Sequence, residues 1–296
     1  MIDLRPSRTR SGAWAGMAWN VERWRALRQV ERFAHRRLAP VEVVILARYR
    51  EALSGRVLEL GCGAGRIIGY LLALGGEVHG IDISPRMVER CRRAYPGANV
   101  REGDLRALER AGGPFDAILA LDNVLDVLDH EERERTLAAI RGLLAPSGLF
   151  AFSSHNLGHL DELRPPLQAR AGAARTLRRA ATRAGSLLGR TARVNALEAA
   201  SLLRRAPVRW RNRRRMRPLE RRGEGYALVN DEGLDYALLH YYIDRDGQAA
   251  QLERLGFELL ECLDVEGAPV GRGERAPGAP WLHYIALARS GSNAVN

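Results

Sequence analysis

Val57-Leu58-Glu59-Leu60-Gly61-Cys62-Gly63-Ala64-Gly65 is the stretch that decides the fold. Residues 56–60 form a short β-rich run, and the glycines after it form a tight turn. Ile67, Ile68, Leu71, Leu72 and Leu74 then recur at helical spacing until Gly75-Gly76 ends them. A strand passing through a glycine turn into a helix begins a parallel α/β unit. Such a turn also lets a ligand approach the backbone closely. It is not a dinucleotide fingerprint, because G-x-G-x-x-G counted from Gly61 meets Arg66 and counted from Gly63 meets Ile68. It is not a phosphate loop either. That loop needs a lysine, and all 46 basic residues of this 296-residue chain are arginine. The same absence excludes pyridoxal Schiff-base chemistry. A ligand without a phosphate is indicated.

The strand–helix alternation continues outward from the turn. A second strand is expected at 77–81, followed by a helix that Ser84-Pro85 opens and that carries Met87, Val88 and Cys91. Further strands are expected at 98–101, 115–121 and 149–153, with a helix over 130–144. After Asn156 the pattern lapses. It returns with a helix at 248–255 and strands at 257–263 and 281–288. Two carboxylates sit at strand ends. Asp82 lies 21 residues after Gly61, where it can accept hydrogen bonds from both hydroxyls of a ribose. Asp104, in Glu102-Gly103-Asp104-Leu105, can accept from an adenine amino group while Leu105 packs on the ring.

On these residues the chain resembles the class I S-adenosylmethionine-dependent methyltransferases. The first motif of that family matches residues 57–65, its second-strand acid matches Asp82, and its third-strand Gly-Asp matches Gly103-Asp104. The fourth-strand motif matches 115–121, and Gln251-Leu252-Glu253-Arg254-Leu255-Gly256-Phe257 is similar to its last helix and sixth strand. The resemblance covers residues 41–156 and 240–289. It implies an α/β, Rossmann-like, doubly wound seven-stranded mixed sheet with its last strand antiparallel. It also implies S-adenosylmethionine across the carboxyl ends of the strands and S-adenosylhomocysteine as product. Glu59, Gly61, Gly63, Gly65, Asp82, Ile83, Asp104, Leu105 and Leu121 are the expected cofactor-binding residues. Four regions follow: an N-terminal helical cap (1–40), the cofactor-binding core (41–156), an Arg-rich helical insert or lid (157–239) and a C-terminal completion of the sheet (240–296).

The methyl acceptor is approached by exclusion. The family's base-amino methyltransferases usually carry Asn/Asp-Pro-Pro-Tyr/Phe after the fourth strand, where this chain reads Asp122-Asn123-Val124-Leu125-Asp126. Carbon-5 pyrimidine methylation needs a cysteine after the fourth or fifth strand, and Cys62, Cys91 and Cys262 lie elsewhere. The loop resembles that of small-molecule O- and N-methyltransferases, so a small-molecule acceptor, such as an acidic sugar, lipid or natural-product intermediate, is expected. His155, leaving the fifth strand, His240, re-entering the fold after the insert, and Asp122 are the candidates for handling the acceptor's proton. Asn123, Asn156, Tyr241 and Tyr242 are the expected substrate contacts. No His/Glu pattern along the chain suggests a metal.

Charge is unevenly distributed. Residues 164–222 hold 18 arginines against Glu198 and Glu220, an excess of 16 positive charges, which leaves the rest of the +11 chain at −5. A lid over an acidic acceptor is the reading favoured by its position between the fifth strand and the last helix. An RNA methyltransferase using the insert to hold RNA is the alternative, with sparse aromatic interleaving against it, since Trp210 stands alone there. Contact with an anionic membrane surface is a further one. A binding protein that keeps the cofactor fold without transfer is the non-enzyme reading. The residues give no oligomeric state. Hydrophobic residues at 46% and charged residues at 27% describe a globular chain without a run long enough to span a membrane. Three cysteines without metal spacing, and an N-terminus broken by arginines, point to a cytoplasmic setting.

Overall fold

The computed structural model describes Asn20, Trp24 and residues 37–108, 111–163, 195–231 and 235–289. The cap expected at 1–40 and the first part of the insert therefore lie mostly outside the described residues. Five strands alternate with helices in the first half: β1 (Arg56–Leu60), β2 (Glu77–Asp82), β3 (Asn99–Glu102), β4 (Phe115–Ala120) and β5 (Leu144–Asn156). Between and before them lie α1 (Pro40–Arg48), α2 (Ile68–Ala73), α3 (Pro85–Ala94) and α4 (His130–Leu143). Pro85 occupies the first turn of α3, and Asp129 caps α4 by accepting from Glu132 N at 2.8 Å. Then come α5 (Leu157–Leu163), α6 (Asn195–Met216), β6 (Arg221–Arg222), β7 (Tyr226–Val229) and β8 (His240–Ile243). The chain closes with α7 (Arg245–Arg254), β9 (Phe257–Leu263) and β10 (Trp281–Ala288).

The central strands run parallel in the order β3-β2-β1-β4-β5. Strand β10 adds to β5 antiparallel, and β9 pairs with β10. Successive side chains alternate between the two faces, so each strand feeds two cores. Leu58, Ile118, Phe150 and Phe152 face α4 and α7, whereas Val57, Ala117, Leu119 and Ala151 face α1, α2 and α3. Mostly parallel strands, helices on both faces and an antiparallel final strand are the architecture expected from the glycine turn outward.

The strand count departs from expectation. Among the described residues the sheet has ten strands, because the segment expected to be a helical insert ends in β6 and β7, and β8 opens the C-terminal part that follows it. Tyr-Ala-Leu-Val and His-Tyr-Tyr-Ile have the aromatic and β-branched composition of strands, and arginine content says nothing about that local preference. Strand β5 is also longer than the 149–153 expected. Its edge is shared: β4 pairs with Leu144 to Phe152, and beyond the end of β4 the strand β8 pairs with His155 and Asn156. The β6–β8 hairpin thus stands over the carboxyl end of β4. Asn20 is tied to this region, its amide donating to Val127 O at 3.3 Å and Leu239 O at 2.6 Å. Among the described residues no helix is long and apolar enough to cross a membrane.

Phe152 is fully buried, stacked between Phe150 at 4.6 Å and Tyr284 at 5.2 Å. Phe152→Ala should cost about 3–5 kcal/mol in urea unfolding. Leu260→Ala, at a position 43% exposed on β9, should cost less than about 1 kcal/mol. Equal losses would mean that the sheet's two faces are not packed as described.

Candidate active site

The glycine turn leaves β1 with Gly61, Gly63 and Gly65 at φ of 65°, 55° and 92°, the left-handed region that glycine enters without steric cost. Space is the second reason for glycine. A Cβ on Gly61 would lie 2.5 Å from Val124 Cγ2, while one on Gly63 would meet nothing within 4 Å. Gly63 therefore presents bare backbone to an open cradle. Asp82 holds the turn in place, with Oδ2 accepting from Gly63 N at 2.9 Å and Oδ1 from Ser84 N at 2.8 Å. Burial pushes its pKa up and the two amides pull part of the way back. Each carboxylate oxygen can accept a second bond, so both retain capacity for a hydroxyl donor.

Three buried polar atoms around the cradle find no hydrogen-bond partner among the described residues: Glu59 Oε2, Ser84 Oγ and Asn123 Oδ1. Burial raises the Glu59 pKa well above the carboxylate range. Nine such atoms occur among the described residues, and these three, at or just beyond the ends of β1, β2 and β4, are placed where a polar ligand could meet them. Ile83 is half-buried beside Asp82, and Leu121 is buried at the end of β4. Asp104 has a partner that the sequence reading did not assign. Arg106 grips it with Nη2 to Oδ2 at 2.6 Å and Nε to Oδ1 at 3.0 Å, beside half-buried Leu105. Arg66, inside the turn, pairs with Glu42 of α1, Nη2 to Oε1 at 2.8 Å, and so anchors α1 over the cradle.

After β4 the chain makes two left-handed residues in a row, Asp122 at φ 61° and Asn123 at φ 59°. Non-glycine residues adopt this conformation at a cost that surrounding structure must hold in place. Here Asn123 N is held by Ser153 Oγ at 2.8 Å. Asp122 is exposed at the mouth of the cleft. The strained turn drives the following 3-10 segment inward and buries Asp126 completely. Asp126 accepts from Arg133 Nη1 at 2.7 Å, Ser154 Oγ at 2.6 Å and His155 N at 2.6 Å, and its Oδ2 lies 2.7 Å from His155 Nδ1. Burial alone would raise its pKa, but Arg133, His155 and Ser154 outweigh burial and hold it below the usual value. Arg133 is itself fully buried, its Nη2 reaching Ser154 Oγ at 3.1 Å and Gln248 Oε1 at 2.8 Å.

Strand register assembles the acceptor side. His155 lies opposite Tyr242 on β8, and His240 is two residues earlier on the same face. His240 lies opposite Val229 on β7, and Asp231 follows Val229 by two. One face thus collects His155, Tyr242, His240 and Asp231. The two imidazole rings stack at 4.9 Å with 20° between their planes. Asp231 Oδ2 lies 2.6 Å from His240 Nδ1 and accepts from the Tyr242 hydroxyl at 2.9 Å. Burial would push the His240 pKa down, but Asp231, with a smaller contribution from Asp126, raises it above the ordinary value.

Two expected contacts point elsewhere. Tyr241 occupies the opposite face of β8, fully buried, with its hydroxyl 2.8 Å from His130 Nδ1 and Arg133 Cζ 4.7 Å from its ring centroid. Alternation along a strand lets only one of two adjacent tyrosines face His155, and that one is Tyr242. Asn156 is spent on structure, its amide donating to the carbonyls of Arg275, Ala276 and Ala279 and its oxygen accepting from Gly158 N. Asp126, Arg133 and Asp231 were given no role in the sequence reading. A buried arginine inside the charged helix segment His-Glu-Glu-Arg-Glu-Arg has no signature, and Asp231 becomes a neighbour of His240 only through the β7–β8 register.

Residues 57–148 match the family model of the methyltransferase domain. The chain is 33% identical over 156 residues to a trans-aconitate 2-methyltransferase of Methylobacterium nodulans, an alignment covering 49% of this chain and 58% of that one. It is 34% identical over 105 residues to a ubiquinone biosynthesis O-methyltransferase of Methylocella silvestris, covering 34% and 40%. The chain spans about half the length of the curated relatives it matches. Its fold is similar to the crystal structure of an S-adenosylmethionine-dependent methyltransferase from Mesorhizobium loti, with TM-score 0.54, 17% identity and coverage of 84% of this chain and 98% of that one.

The two histidine–carboxylate pairs predict pH dependence. The His240 pKa is raised, so its pairing stabilises the fold fully below pH 6.5 and the contribution is lost as pH rises through the folded-state value. The Asp126 pKa is lowered, so its contribution is present above pH 3.8 and lost as pH falls through the folded-state value. Asp231→Asn should bring the His240 titration, followed by NMR of the ring protons, down to 6.5 or below. Its deficit in Tm should be largest in acid and shrink as the pH rises. An unchanged His240 midpoint would detach the histidine from Asp231.

Proposed function

The chain belongs to the class I S-adenosylmethionine-dependent methyltransferase family, and from that premise we propose that it transfers a methyl group to an oxygen or nitrogen atom of a small molecule. The observation carrying this reading is the open cradle at Gly63, flanked by Asp82 and by the orphaned Glu59 Oε2, Ser84 Oγ and Asn123 Oδ1. Asp82 offers its oxygens to the ribose hydroxyls, with Ile83, Asp104, Leu105 and Leu121 around the base. Gly61, Gly63 and Gly65 let the cofactor lie against the backbone. When bound, S-adenosylmethionine supplies an electrophilic sulfonium methyl. The chain's own contribution is to hold the acceptor in line with it and exclude water, which for a direct displacement is most of the work. His155, His240 and Tyr242 line the acceptor side, and an imidazole there handles the proton of a poorly ionised hydroxyl or a protonated amine. Asp122 stands at the mouth. The β6–β8 hairpin and the arginines leading into it favour a lid over an acidic acceptor. The names of both relatives, a trans-aconitate methyltransferase and a ubiquinone-biosynthesis O-methyltransferase, support a small molecule.

Calorimetry with S-adenosylmethionine and S-adenosylhomocysteine tests the cofactor assignment. Binding of both is expected, and of neither NAD nor ATP. Asp82→Ala should weaken it at least about tenfold, since hydrogen bonds to charged groups are worth about 1.5–3 kcal/mol. Gly63→Asn is the sharper variant, because asparagine tolerates the left-handed conformation while its side chain fills the cradle. It should lose cofactor affinity with little change in Tm. Parental affinity in a folded Gly63→Asn protein would remove the assignment.

One observation favours an RNA acceptor instead. On α6 the residues Arg211, Arg213 and Arg214, with Arg217 just after it, are exposed in the same stretch as Trp210, itself 64% exposed. The opposite face of the helix is anchored by the ion pair of Arg205 and Asp235 and by buried Met216. A gel-shift titration with structured RNA at two salt concentrations separates the readings. The small-molecule reading predicts weak binding. Tight binding that collapses between low and moderate salt would establish the RNA reading.

A further inference from the structure

We infer that His155, His240 and Asp231 form a binding site for a divalent transition cation of the zinc class. Each offers one donor atom, an imidazole nitrogen or a carboxylate oxygen, and the three atoms lie within 4.8 Å of one another. Two imidazoles and one carboxylate are a recurrent catalytic set for zinc and its neighbours, and they leave at least one coordination position for another ligand. Magnesium, which prefers oxygen donors and water, is poorly served by two nitrogens.

The surroundings match what such a site needs. Side-chain exposure is 17% for His155, 17% for Asp231 and 12% for His240, so the donors are largely shielded while one side stays reachable. Metal-binding histidines commonly give their second ring nitrogen to a carboxylate, which fixes ring orientation. Here Asp126 takes His155 Nδ1 at 2.7 Å, which leaves the other ring nitrogen of His155 for a cation. Asp231 Oδ2 and His240 Nδ1 are themselves 2.6 Å apart, so a cation would bind these two by displacing the proton between them. Spacing along the chain could not show this set, because its members come from the end of β5, the loop after β7 and the start of β8.

A cation held there would lower the pKa of an acceptor hydroxyl reaching its open position, the proton passing to bulk water. That use rests on the methyl-transfer reading and refines how the two imidazoles act on the acceptor's proton. The binding itself does not depend on it.

The test uses the full-length protein, stripped with a chelator and titrated with cobalt(II) alone. Expected are visible d–d bands that saturate at one equivalent and two hyperfine-shifted, exchangeable imidazole N–H resonances in proton NMR. Zinc(II) should displace the cobalt and millimolar magnesium should not. Asp231→Asn should weaken cobalt binding at least about tenfold. Absorption no stronger than that of aqueous cobalt, fewer than two shifted N–H signals, or unchanged affinity in Asp231→Asn would overturn the site. Neither S-adenosylmethionine nor an acceptor is present in this titration. Its failure therefore leaves methyl transfer standing, whereas a protein that binds cobalt but not S-adenosylmethionine would overturn methyl transfer and keep the cation site.

Discussion

Two charges with no exposure at all, Asp126 and Arg133, meet at 2.7 Å beneath the acceptor side, and most of what surrounds them depends on that contact. Removing two such ions from water costs several kcal/mol each, offset only if their geometry and remaining hydrogen bonds are good. The protein meets that condition by spreading the bonds over many elements. Arg133 belongs to α4 and reaches Ser154 of β5, Gln248 of α7 and the ring of Tyr241 on β8. Asp126 comes from the turn after β4 and holds both the backbone and the imidazole of His155. The pair orients one catalytic candidate and fixes the position of four secondary-structure elements. Loss of one partner alone would leave an uncompensated buried charge, typically a penalty of about 3–5 kcal/mol.

The cofactor half and the acceptor half differ in how legible they are in the sequence. The glycine turn, Asp82 and the alternation of β1 and β4 are local features, each set within a few residues, so reading the chain in order recovers them. His155 and His240 are found because they flank the insert. Their arrangement is not local. Whether Tyr241 or Tyr242 faces His155 depends on a pairing between residues 87 apart in the chain, and a shift of one residue would exchange their roles. The β6–β8 hairpin is hidden for another reason. Arginine dominates the composition around it, and short strands leave little signal against such a background. Arg133 carries no sequence signal at all, because a charged residue in an amphipathic helix normally reads as exposed.

Two left-handed residues and three orphaned polar atoms share one end of the sheet. Asp122 and Asn123 hold left-handed backbone, and Glu59, Ser84 and Asn123 bury oxygens without partners there. A core built only for stability would remove both features. They lie near the carboxyl ends of β1, β2 and β4, where a parallel sheet can hold a ligand, at the point where its strand order reverses.

The shared edge of β5 has an evolutionary consequence. Among the described residues the acceptor-side hairpin pairs with the central sheet at two positions, His155 with Tyr242 and Asn156 with Ile243, on a stretch that β4 does not reach. The cofactor half makes its own sheet contacts without that stretch. A lineage can therefore exchange, lengthen or recharge the hairpin as a cassette while the glycine turn keeps its geometry. Substrate preference in this architecture is thereby separated from the geometry of the cofactor half.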